Sequence, residues 1–213
     1  MSCDFTMEHY RELLGAAQAG GYEWASFDRR PRTGDLFLRH DVDLSLEAAL
    51  EMARLEHELG VRATYFLMPE SGFYNLDSHV GLYAQRQVRE WGHAVGLHAV
   101  YPRAGLDRRF DSVISWHNPD PGYMSRPIDG AVNVMEEPYF MPGRYRSDSN
   151  AQWREGCPHD ELAAGAFEWL QLLIHPEIWV YEGTTMRETM ESMLDAKRLE
   201  WLEALAADRI DLL

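Results

Sequence analysis

Apolar residues recur at helical spacing over residues 6–19 (Met7, Tyr10, Leu13, Leu14, Ala17), and the run closes on Gly20-Gly21, which predicts a leading helix outside the main fold. A short apolar run, Leu36-Phe37-Leu38, follows a polar turn with Pro31 and Gly34 and leads straight into Arg39-His40-Asp41-Val42-Asp43. This is the pattern of a buried strand that delivers polar groups at its end. Ser45 is placed to cap a helix over 46–59 that stops at Gly60, and 63–68 reads as the next strand. A second unit repeats the plan, with a helix over 80–91, Gly92 as its stop and a strand over 94–97 that ends at His98. A short helix at 106–110 precedes a strand at 112–116 ending at His117. The stretch 118–158 is proline-rich and reads as one long loop, a type of segment that often carries function. Regular pattern returns as a helix over 160–169, a strand over 170–174 ending at His175, and a final helix over 185–205.

Strands alternating with helices predict an α/β fold with parallel strands, either a barrel or a doubly wound sheet. The barrel is favoured because four predicted strands end in residues fit for metal or acid-base chemistry: Asp41 with Asp43, His98, His117 and His175. Barrel enzymes build their sites from such strand ends, so these residues are expected to converge.

With 213 residues the chain is expected to form a single domain, 1–213, with its core over about 36–205. The formal charge of −15 excludes nucleic acid and anionic membrane surfaces as expected partners. Cys3 and Cys157 are the only cysteines, which predicts neither a disulfide framework nor a thiolate metal site. The opening residues carry acids where a secretory signal would be basic, and no run reaches the length of a membrane span, so a cytoplasmic protein is expected.

Asp41 and Asp43 are two apart, which on an extended segment puts both carboxylates on one face. Such a pair repels itself unless a cation lies nearby or one member holds a proton. A metal resolves the conflict by taking one carboxylate as ligand and leaving the other as base; a cap cluster for the following helix is the plain alternative. His98 is the natural imidazole partner of that pair. His40 should face the opposite way and serve packing or support, and His93, at its strand's entry, is expected to be structural. His9, His57, His79 and His159 read as surface or helix residues.

The stretch Gly92-His93-Ala94-Val95-Gly96-Leu97-His98 resembles the Gly-His-Glu-Ile-Gly-Asn-His segment of polysaccharide deacetylases, carbohydrate esterase family four, whose last histidine is a metal ligand. His40-Asp41-Val42-Asp43 is similar to their Phe-Asp-Asp motif, Ala63-Thr64-Tyr65-Phe66 to their Ala-Thr-Phe-Phe strand, and Leu172-Leu173-Ile174-His175 to their Leu-x-x-His motif. The likeness covers roughly residues 36–176, with the motifs in the family's order. It implies a distorted (β/α) barrel holding one divalent transition metal, zinc by ligand type, on Asp43 and His98. Asp41 would be the base and His175 the acid. Where the family has its second histidine this chain has Pro102, so His117 is the candidate third ligand. Arg146 and Asp148 fall where the family orients its base; they are expected either as a buried ion pair that positions substrate and base or as an ordinary solvated turn.

The implied activity is hydrolysis of an acyl group, acetyl first, from the amide of an amino sugar or related small molecule. Two rivals stand beside it: hydrolysis of another carbon–nitrogen bond, such as a formamide or cyclic amide, at the same metal, and a catalytically inactive sugar-binding module. Proline and aromatic residues between Pro119 and Tyr145 point to a covered cleft and a small ligand rather than a polymer.

Overall fold

A computed structural model describes residues 4–101, 105–119, 122, 124 and 128–208. Cys3 and Pro102 lie outside the described residues, as does part of the segment expected to cover the cleft. The chain runs α1 (Met7–Ala19), β1 (Glu23–Trp24), β2 (Asp35–Val42), α2 (Leu46–Glu58), β3 (Thr64–Leu67), α3 (His79–Glu90), β4 (Ala94–Ala99) and β5 (Val113–Trp116). It continues with β6 (Val132–Asn133), β7 (Tyr145–Ser147), α4 (His159–Ala163), β8 (Leu170–Ile174), α5 (Pro176–Val180) and α6 (Met186–Ala207).

Seven strands follow one path, β6-β5-β4-β3-β2-β8-β7, with β1 added beside β2, and every pairing is parallel. Helices flank this curled sheet, giving the α/β half-barrel that a distorted barrel requires. Among the described residues β6 and β7 each pair with a single neighbour, so hydrogen bonds do not close the sheet. No helix among the described residues is long and apolar enough to cross a membrane.

All eight residues of β2 are buried, as expected for a central parallel strand covered on both faces. Its alternation sorts them. Leu36, Leu38 and Val42 join the main apolar layer beneath the helices, together with Leu13, Met52, Tyr65 and Leu97. Phe37 points the other way, into a smaller aromatic cluster with Phe27, Phe66, Tyr139 and Trp169. That inner face, apolar at Phe37, turns polar at Arg39, Asp41 and Asp43, so the chemistry is set at the C-terminal ends of the strands over an aromatic floor.

Local signals explain the helix starts. Ser45 accepts a hydrogen bond from the Ala48 backbone N–H at 3.1 Å, and Ser78 accepts one from Gly81 at 3.0 Å. The glycine in the strand before His98 has a steric cause: a Cβ on Gly96 would come within 2.5 Å of the Phe66 ring and 2.9 Å of Val113. Close approach of β3 and β5 to β4 demands a residue with no side chain there.

Several predicted elements differ. Residues 106–110 form turns, not a helix, because the Asp107 carboxylate accepts the Arg109 backbone N–H at 2.9 Å, a local bond that competes with helix formation. The helix expected over 160–169 ends at Ala163, and Gly165, at φ 63°, reverses the chain. The expected long loop contains β6 and β7. A further short helix, α5, starts directly after His175 with Pro176 at its first position, where a missing N–H costs nothing.

Candidate metal and acid-base site

Asp43, His98 and His117 meet at the C-terminal ends of β2, β4 and β5. The Asp43 Oδ1 atom lies 3.1 Å from His98 Nε2 and 3.2 Å from His117 Nδ1, and the two nitrogens are 3.3 Å apart. Among the described residues this is the one group of three such side chains placed to share a cation. The spacing has a physical meaning, because ligands about 2.0–2.1 Å from a tetrahedral ion are about 3.3 Å from one another. Asp43 Oδ1 is buried without a hydrogen-bond partner, although two imidazole nitrogens stand beside it. A carboxylate oxygen and two imidazole nitrogens within 3.3 Å of one another are the donor set that zinc or a similar divalent ion takes. Burial works to raise the Asp43 pKa, and the two imidazoles outweigh it, holding the carboxyl well below the ordinary range. Asp43 in turn raises the His117 pKa.

Asp41 sits beside this group, with Oδ2 3.7 Å from His98 Nε2. It is clamped by Arg39, whose Nε donates to Oδ1 at 2.8 Å and whose Nη2 donates to Oδ2 at 2.6 Å. The pair is buried to 1% exposure on the arginine side and 5% on the aspartate side, so the two charges meet without water between them. Arg39 is held by Ser115 Oγ and, at 3.1 Å, by Gln171 Oε1, whose amide donates to the carbonyls of Val134 and Tyr139. Burial pushes the Asp41 pKa up and Arg39 pulls it down further, so the carboxylate stays ionised.

The third part is His175, at the end of β8. Its Nδ1 is 2.6 Å from Asp148 Oδ1, and its backbone N–H donates to Asp148 Oδ2 at 2.9 Å. Trp179 on α5 donates its indole N–H to the same Oδ2 at 2.7 Å. Asp148 is fully buried, so its charge is spent on orienting the imidazole. Burial alone would lower the His175 pKa; Asp148, with help from Asp43, lifts it to about 10. Arg39, Asp41, Asp43, His98, His117 and His175 line one cavity of about 130 Å³, which Asn118, Pro119 and Tyr145 help to wall.

Asp41, Asp43, His98, His117 and His175 are therefore brought together as the strand-end pattern predicts. Arg146 is not. On β7 it points away from the side that carries Tyr145, and its guanidinium pairs with Glu161 at 3.4 Å and lies over the Phe167 ring. The expected Arg146–Asp148 ion pair is replaced by two separate ones: Asp148, just past the end of β7, is taken up by His175 and Trp179, and Arg146 pairs with Glu161. The arginine that holds Asp41 is Arg39, missed by the sequence reading although it lies two residues before Asp41 on the same strand face. Ser115, Gln171 and Trp179 were also missed.

The reverse face of β2 carries a second buried cluster. His40 Nε2 lies 2.6 Å from Glu56 Oε1, Tyr10 and Tyr65 donate to the Glu56 carboxylate at 2.5 and 2.9 Å, and His40 stacks on Tyr65. His93 accepts the Ala63 N–H and faces the Ala53 carbonyl, which fits its expected structural place. Burial raises the Glu56 pKa, and His40 opposes it strongly enough to leave the carboxyl below its usual range.

Glu177, in the first turn of α5, is 2% exposed, and its Oε2 has no hydrogen-bond partner. Burial lifts its pKa to about 8, with His175 working against that shift and Asp43 with it. The native state then keeps a proton that the unfolded chain has released, so this group makes stability fall as pH rises from about 4.5 to about 8. Chemical denaturation of metal-stripped protein across that window should show Glu177→Gln gaining on the wild type by a few kcal/mol (order of magnitude) at the alkaline end. Parallel pH profiles for the two proteins would count against a protonated Glu177.

No protein-family model matches the chain, and no match was found among curated proteins or solved structures.

Proposed function

We propose that the protein is a metal-dependent amide hydrolase that removes a small acyl group, acetyl first, from an amino sugar or related small molecule. The observation that carries this reading is the junction of Asp43, His98 and His117 within ligand spacing beside an Arg39-clamped Asp41 and an Asp148-oriented His175. The likeness to polysaccharide deacetylases, with their distorted barrel, supports it through motif order.

A divalent cation held by Asp43, His98 and His117 would polarise the substrate carbonyl and make water acidic enough to attack. Asp41, ionised and fixed by Arg39, is placed to accept the proton that water gives up. His175, protonated at neutral pH through Asp148, is placed to deliver a proton to the departing amine. The C–N bond breaks, a C–O bond forms, and the products are a carboxylate and an amine. A cavity of about 130 Å³ suits an acyl group of a few heavy atoms and leaves the amine portion toward the mouth.

The test combines loading with turnover. Elemental analysis of purified protein should give about one transition-metal equivalent, falling to near zero in Asp43→Ala and His98→Ala, while a panel of N-acetylated and N-formylated amino sugars and small amides should report release of the matching acid. Absence of metal under every loading condition would favour the sugar-binding module. Metal without acetyl release but with cleavage of formamides or cyclic amides would move the activity to that second bond class.

A further inference from the structure

The two imidazoles of the candidate metal site are held in different ways. His98 lies within β4 and is 1% exposed, so contact with its neighbours fixes the ring. His117 follows the last residue of β5, and its side chain is 27% exposed, so packing constrains its ring less. Its backbone is pinned, with the N–H donated to the Ala99 carbonyl at 2.9 Å. The ring turns Nδ1 toward Asp43 Oδ1 and His98 Nε2, and it turns Nε2 toward the Asn118 amide, 3.3 Å away.

Asn118 has a φ of 40°, in the left-handed region, where glycine sits at the lowest cost. Asparagine tolerates that conformation and adds an amide, which here lies against the imidazole of the preceding residue. The proton count on that imidazole gives the amide a task. A neutral ring carries one proton; if Nδ1 offers its lone pair to a cation, the proton sits on Nε2 and needs an acceptor. A half-turn of the amide brings Oδ1 to the place of Nδ2. We infer, on the strength of the metal reading proposed above, that Asn118 is a positioning residue: its amide oxygen accepts the Nε2–H of His117 and holds the ring with Nδ1 toward the cation. Loss of a partner of this kind weakens metal binding by about 10–100-fold.

Zinc affinity of the full-length, metal-free protein, measured by competition with a chromophoric chelator, tests the inference. Asn118→Gly should bind zinc about tenfold more weakly than the wild type. Its thermal stability without metal should not fall, because glycine takes a positive φ more readily than asparagine. Asn118→Asp, whose carboxylate accepts the same proton, should bind zinc at least as tightly as the wild type. Histidine side-chain ¹⁵N spectra of the zinc-loaded wild type should place the His117 proton on Nε2. Equal zinc affinity in Asn118→Gly and the wild type, failure of Asn118→Asp to restore it, or a proton on Nδ1 overturns the inference and leaves the metal reading standing. A wild type that takes up no zinc overturns the metal reading, and this inference with it.

Discussion

Asp41→Asn should lower turnover by about 10²–10⁴-fold while the metal content stays near that of the wild type. The amide of asparagine keeps the shape of the side chain and one acceptor oxygen for Arg39, but it takes no proton from water. Metal retention follows because Asp43, not Asp41, shares the 3.1 and 3.2 Å spacings with the two imidazoles. The substitution leaves the buried Arg39 charge without its anion, and loss of one member of such a pair costs about 3–5 kcal/mol. Ser115→Ala supplies the control, since Ser115 Oγ lies 3.3 Å from both Asp41 oxygens and bears no charge. It should trim turnover by about tenfold or less, being one neutral hydrogen bond among several. Activity retained in folded Asp41→Asn would remove Asp41 from the proton-accepting role.

A stability loss as large should come from the far side of the same strand. Glu56→Ala removes an acceptor shared by His40, Tyr10 and Tyr65, all buried, and leaves three polar groups and a void in the apolar layer. Breaking a buried ionic network of this kind costs about 3–5 kcal/mol, against about 0.5 kcal/mol or less for an ordinary surface change. Urea denaturation measures it directly. A loss under about 1 kcal/mol would mean that the cluster is not an ionic one.

Much of the site was legible because a barrel-like sheet converts a linear regularity into a spatial one. Asp41 with Asp43, His98, His117 and His175 each follow an apolar strand, and parallel strands place such followers along one rim. The strand ending at His175 was bounded residue for residue, since a mostly apolar run ends there at the histidine. The partners that orient these groups were not legible in the same way. Arg39 precedes Asp41 with the same two-residue spacing that picked out Asp43, yet an arginine inside a strand carries no sign that it will be 1% exposed. Arg146 was paired with Asp148 because the two stand near each other in the chain, yet Asp148 lies past the end of β7 and its carboxylate is taken up by His175 and Trp179. Trp179 reaches Asp148 only because α5 turns the chain back, and a five-residue helix has too little periodicity to announce itself.

β2 serves two masters. Its even positions feed the helix-side layer and the Glu56 cluster; of its odd positions, Phe37 joins the aromatic floor and Arg39 and Asp41 line the cleft. A frameshift of one residue inside 35–43 would therefore turn the strand inside out, offering His40 and Val42 to the substrate and driving Arg39 and Asp41 into hydrocarbon. An insertion or deletion is therefore expected to be tolerated before Asp35 or beyond Ser45 far better than within that short interval.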